Sequence, residues 1–120
     1  MGYEVKLFVV EKSPTCFNEN FSYWGQEIAT YELCVCNQVS DFMDKKNPTD
    51  CYVYADDGNT QIVEDYYGDP LHECEISEFY EFLTTVEDDY RRIAPLKALI
   101  KSFVENKNRF SNLYVLSFGH

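Results

Sequence analysis

The sequence predicts an α+β fold: a single domain over residues 1–120, built on one largely antiparallel sheet of about five strands with helices packed on one face. Three observations carry that expectation. Apolar residues recur at period two in some segments and at three- and four-residue spacing in others, without the strict strand–helix–strand alternation of a doubly wound nucleotide fold. The tetrapeptide Asp56-Asp57-Gly58-Asn59 stands between two strand-like segments, and Gly and Asn tolerate the positive φ that a tight hairpin demands. The chain has 120 residues, 45% of them hydrophobic and 17% aromatic, which is the size and composition of one packed core rather than of a disordered segment.

Gly2 to Glu11 reads as a strand, with Tyr3, Val5, Leu7 and Val9 on one face. Phe8 and Val10 make its second half apolar on both faces, which predicts a central place in the sheet. Lys12 to Gly25, with Pro14, Asn18, Asn20 and Ser22, reads as a loop held down by Phe17, Phe21, Tyr23 and Trp24. Gln26 to Asn37 is a second strand. Ser40 can cap a short helix to about Lys46, which stops before Asn47-Pro48. Cys51 to Ala55 and Thr60 to Tyr66 form the third and fourth strands around the hairpin. Ile76, Phe79, Phe82, Leu83 and Val86 mark a helix to about Glu87, capped by Ser77. Leu96, Leu99, Ile100, Phe103 and Val104 mark another, with Pro95 in its first turn. Asn112 to Phe118 closes as the fifth strand, giving the order β-β-α-β-β-α-α-β.

Charge sets the functional expectation. The chain carries 21 acidic and 10 basic side chains, a formal net charge of −11. From Asn47 to Tyr90 there is no Lys or Arg, while thirteen acids fall in the same stretch; from Arg91 onward the sign reverses. Such a balance disfavours direct nucleic-acid binding, which depends on basic side chains displacing counterions, and disfavours anionic membrane surfaces. The longest apolar runs are far short of the ~20 residues that cross a bilayer, and the N-terminus lacks the basic region of a signal peptide, so a cytoplasmic protein is expected. An odd cysteine count (Cys16, Cys34, Cys36, Cys51, Cys74) points the same way, to reduced thiols.

No residue set nominates a reaction. Walker A, GxGxxG, GxSxG and HExxH motifs are missing from the sequence. Cys34 and Cys36, with His72 and Cys74, place soft ligands two apart on strand-like segments, and four of them would close a tetrahedral zinc site if the segments met. Small hydrophobes in a core explain the cysteines as well. Asp56 to Thr60 has the oxygen density of a cation site but not the EF-hand alternation. In Glu64-Asp65-Tyr66-Tyr67-Gly68-Asp69-Pro70, aromatic anchors interleave with carboxylates, a pattern suited to an Arg- or Lys-rich partner.

The stretch Tyr52 to Thr60 continuing to Leu71, with Arg91-Arg92-Ile93-Ala94-Pro95-Leu96 and Leu113-Tyr114-Val115-Leu116, resembles segments of small uncharacterised proteins of bacteria and their phages or prophages. That resemblance implies a mobile-element accessory protein, a class that includes acidic inhibitors and nucleic-acid mimics; it brings no activity, fold or cofactor. The expected function is therefore a small acidic, non-enzymatic interaction protein without a cofactor. It would occlude a basic surface, that of a nucleic-acid-handling protein, through Asp56, Asp57, Glu64, Asp65, Tyr66, Tyr67 and Asp69. Two alternatives stand beside it: a self-assembling accessory protein, whose acidic middle meets the basic segment from Arg91 to Lys101 of another copy, and a metal-binding module on Cys34, Cys36, His72 and Cys74.

Overall fold

Leu7, Phe8, Val9 and Val10 are each no more than 2% exposed, so the first strand is buried on both faces and flanked on both edges. The computed structural model describes residues 4–14, 22–34, 37–54, 61–62, 70–86, 93–110 and 112–119. Its elements are β1 (Glu4–Pro14), β2 (Tyr23–Cys34), α1 (Asn37–Asp44), β3 (Cys51–Tyr54), β4 (Gln61–Ile62), β5 (His72–Glu75), α2 (Ile76–Leu83), α3 (Ile93–Glu105) and β6 (Leu113–Gly119). The strands form one sheet in the order β4-β3-β2-β1-β6-β5. Every pairing is antiparallel except the short parallel contact of β2 with β3.

The two faces are distinct. Val39 and Met43 of α1, Ile76, Phe79 and Leu83 of α2, and Ile93, Leu96 and Ile100 of α3 all join one cluster with Leu7, Val9, Leu33, Cys74, Leu113 and Val115. The helices thus cover a single face, as the amphipathic spacing requires. Stacked rings of Phe42 and Phe82, 4.0 Å between centroids, tie α1 to α2.

The other face buries Phe8, Val10, Cys51, Val53, Leu71 and Leu116 without a helix among the described residues. Part of the explanation is curvature. Residues 47–49 run along the outer edge of β5, with a Pro48–His72 bridge, Thr49 N–H donating to the Leu71 carbonyl (2.7 Å) and Glu73 N–H to the Asn47 carbonyl (3.0 Å). Immediately afterwards Tyr23 N–H donates to the Asp50 carbonyl and Cys51 pairs with Tyr23 at the edge of β2. One short stretch therefore touches both β5 and β2, and the sheet curls closed at that end like part of a barrel.

Four details depart from the sequence expectation. β5 is an additional strand: four residues were too few to show a period, and Pro70 precedes them. β1 runs on to Pro14 and β2 starts at Tyr23, because both extensions are stabilised by pairing with each other over positions expected to be loop. α1 begins at Asn37, which puts Ser40 inside the helix rather than at its cap. α2 is capped by Glu75, whose side chain accepts from Glu78 N–H, instead of by Ser77. The hairpin residues 56–59 lie outside the described residues; Val53 pairs with Ile62 and Tyr54 with Gln61 on either side of them.

Candidate functional site

The closed end of the sheet holds a buried cation. Lys12, only 8% exposed, is the sole lysine or arginine among the buried described residues. Its backbone is fixed by an N–H donated to the carbonyl of Asn112, a residue in the left-handed conformation (φ 55°) that Asn tolerates better than most. Lys12 lies on the same face of β1 as Phe8 and Val10 and so points into the curl. Its Nζ reaches Asp50 at 2.7 Å and Glu73 at 3.0 Å. The rings of Tyr23 and Tyr114 flank it, at 4.8 and 4.3 Å from ring centroid to Nζ. Glu73 also accepts from Asp50 N–H, so the two acid-bearing segments are linked directly as well.

Burial works against the lysine's charge, but hydrogen bonds to Asp50 and Glu73 and their negative charge outweigh it, and the proton is held more tightly than on a free lysine. Beside it, Cys51 Sγ lies 3.1 Å from Thr49 Oγ1, and burial pushes its thiol up. Neither group is poised as a nucleophile at neutral pH, since nucleophilic chemistry needs the neutral amine or the thiolate. What the cluster can do is hold charge: one lysine against two carboxylates, closing the curl.

The candidate metal ligands separate. His72 and Cys74 share a face of β5, but His72 Nδ1 contacts the Lys46 carbonyl at 2.7 Å and Cys74 is buried in the helix-side core. Burial pushes the Cys74 thiol up to about 12. Cys34 ends β2, and β1 and β6 intervene between β2 and β5, a separation of roughly 14 Å at ordinary strand spacing. Cys36 lies outside the described residues, and no group of three or more potential ligands occurs among those described. Strand order thus sets Cys34 apart from the His72–Cys74 pair along the sheet.

The partner-binding candidates Asp56, Asp57, Glu64, Asp65, Tyr66, Tyr67 and Asp69 all lie outside the described residues. Their flanks are described. Tyr54, before them, packs edge-to-face against Trp24 and Tyr52. After them, Glu73 is bound to Lys12, and Glu78 pairs with Lys46, whose Nζ also sits 4.5 Å from the Phe42 ring centroid. Lys46 holds its proton more tightly because of the Glu78 hydrogen bond. Sequence reasoning missed the Lys12 cluster, because Lys12 and Glu73 are separated by 61 positions; the available signal was a lysine two positions beyond the apolar run Leu7 to Val10, on the face of Phe8 and Val10.

Comparisons with protein-family models, with curated proteins and with solved structures find no match to this chain.

Proposed function

We propose that this chain is a non-enzymatic interaction protein that binds a basic protein surface through the acidic segment containing Asp56, Asp57, Glu64, Asp65, Tyr66, Tyr67 and Asp69. The partner class is a nucleic-acid-handling protein, whose phosphate sites the spaced carboxylates would fill. One observation carries this reading. The stretch from Asn47 to Tyr90 has no cation of its own, and where it is described it is pinned at both flanks by lysines from outside it, Lys12 on Asp50 and Glu73 and Lys46 on Glu78. Opposite fields speed association with a basic partner and make it salt-sensitive.

The test is affinity capture from a bacterial lysate, followed by competition of the captured protein between this chain and duplex DNA. A single basic partner, released by salt and displaced by DNA, is the expected result. The variant Glu64→Lys/Asp65→Lys/Asp69→Lys should lose that partner while its thermal melt stays near that of the parent. Retention of full affinity by the triple variant would overturn the assignment.

A further inference from the structure

We propose that the cavity where the β5–β6 pair meets the start of α2 binds a neutral pyranose sugar. Three places in the chain line it: the junction of β5 with α2, the turn that carries Asn108 and Phe110, and the entry to β6. This goes beyond the acidic segment, lies elsewhere in the chain and does not depend on it.

The cavity has a volume of about 350 Å³, at the small end of ligand sites. Ile76 and Leu113, both buried, supply apolar wall. Phe110 and Tyr114 add two half-buried rings, and Glu75, Ser77, Asn108 and Asn112 bring polar side chains. Several of these groups are fixed by the fold itself. Phe110 packs edge-to-face on Phe103 of α3, with 5.9 Å between centroids. Tyr114 stands opposite Glu75 across the β5–β6 pairing, and its ring centroid lies 4.3 Å from Lys12 Nζ. Glu75 Oε2 accepts from Glu78 N–H at 3.3 Å. Asn112 is left-handed (φ 55°), and its carbonyl accepts from Lys12 N–H. A wall arranged in advance loses less freedom on binding than one that must order itself.

The chemistry of the lining selects the ligand. Each asparagine amide both donates and accepts, Ser77 and Tyr114 each bring a hydroxyl, and the Glu75 carboxylate keeps acceptor capacity beyond its bond to Glu78 N–H. The hydroxyls of a sugar ring are likewise donors and acceptors at once. They radiate around the ring, as the polar groups here converge from three separate places. A flat nucleobase carries its hydrogen-bonding atoms in one plane and would leave much of that spread unmatched. The two rings, with Ile76 and Leu113, suit the apolar C–H face of a pyranose. Charge argues against an anion: Glu75 is the charged residue among the described lining, and Lys12 behind Tyr114 is already held by Asp50 and Glu73.

The probes are the methyl glycosides of glucose, mannose and galactose, titrated into the full chain and read by amide chemical shifts of isotope-labelled protein. The controls are cyclohexanol, adenine and glucuronate. At least one glycoside should saturate with a millimolar dissociation constant and move the amides of residues 75–77, 110 and 112–114, while the controls leave them in place. Asn108→Ala/Asn112→Gly should weaken that glycoside by about tenfold or more, the glycine keeping the left-handed turn. If the double variant fails to fold, Asn108→Ala alone replaces it. Phe110→Leu, which keeps apolar volume without the ring, should weaken it too. An oligosaccharide ending in the preferred sugar tells the source: its binding assigns a glycan terminus, its exclusion a free monosaccharide. The Glu64→Lys/Asp65→Lys/Asp69→Lys variant should bind the glycoside like the parent, so failure of either test leaves the other standing. No saturable shift with any of the three glycosides, shifts confined to other residues, equal binding of a control, or full affinity in the asparagine variant would overturn the proposal.

Discussion

Lys12 is the side chain on which the closed end of the sheet depends. Replacing it with Met leaves Glu73, 16% exposed, without its cation, whereas Asp50, 53% exposed, stays hydrated. We expect Lys12→Met to lose about 2–3 kcal/mol of unfolding free energy, below the 3–5 of a fully buried broken pair, measured by urea titration. Because the folded protein binds the lysine proton more tightly than the unfolded chain does, this stabilisation is complete below the ordinary value of 10.5. It drains away as pH rises through the higher folded-state value. The difference between parent and Lys12→Met should therefore be flat through neutral pH and shrink only in strong alkali; a difference that shrinks between pH 6 and pH 8 would exclude the cluster as its source. The thiols belong to the same scale. Cys51 and Cys74, buried and held protonated, should resist iodoacetamide in the native protein and react once urea unfolds it, as read by peptide mass mapping.

At the scale of elements, the cap of α2 separates the sequence expectation from the structure. Ser77 is the better capping residue by type, but Glu75 is the one whose backbone turns out of the helix and whose carboxylate takes an orphan N–H. Glu75→Ala should cost about 0.5–1 kcal/mol in thermal or urea unfolding and Ser77→Ala only a few tenths; the reverse ranking would contradict the cap. Legibility followed the same line. Where a signal was local and repeated it could be read: the double-faced run from Leu7 to Val10 announced a central strand, and the spacing of Ile76, Phe79 and Leu83 announced a helix buried on one side. Where an element exists because of a distant partner it could not. His72 to Glu75 is a strand because β6 and residues 47–49 pair with it. Tyr23 to Gly25 are strand because β1 and β3 hold them. The Lys12 cluster gathers residues from β1, β5 and the approach to β3, and no window of sequence contains them together.

For the whole molecule, a net charge of −11 on 120 residues acts on stability and on association with opposite sign. Self-repulsion within the fold is screened by salt, so the melting temperature should rise between low and physiological ionic strength. Affinity for a basic partner should fall over the same range. Calorimetric melts beside a binding isotherm at each salt concentration check both, and movement of the two in the same direction would argue against charge as the driver of binding.

The position of β6 has a consequence for how the protein is made. It lies between β1 and β5, so of the described strands the last in sequence is the one that links β5 to β1 and the strands beyond it. At ordinary rates of translation, about 5–20 s pass between β1 and β6. During that interval one apolar edge of β1 stands open in the nascent chain. A chaperone that shields hydrophobic segments is the natural occupant of that gap, and ribosome-bound chains halted before Leu113 should retain it while chains extended well past Gly119 release it.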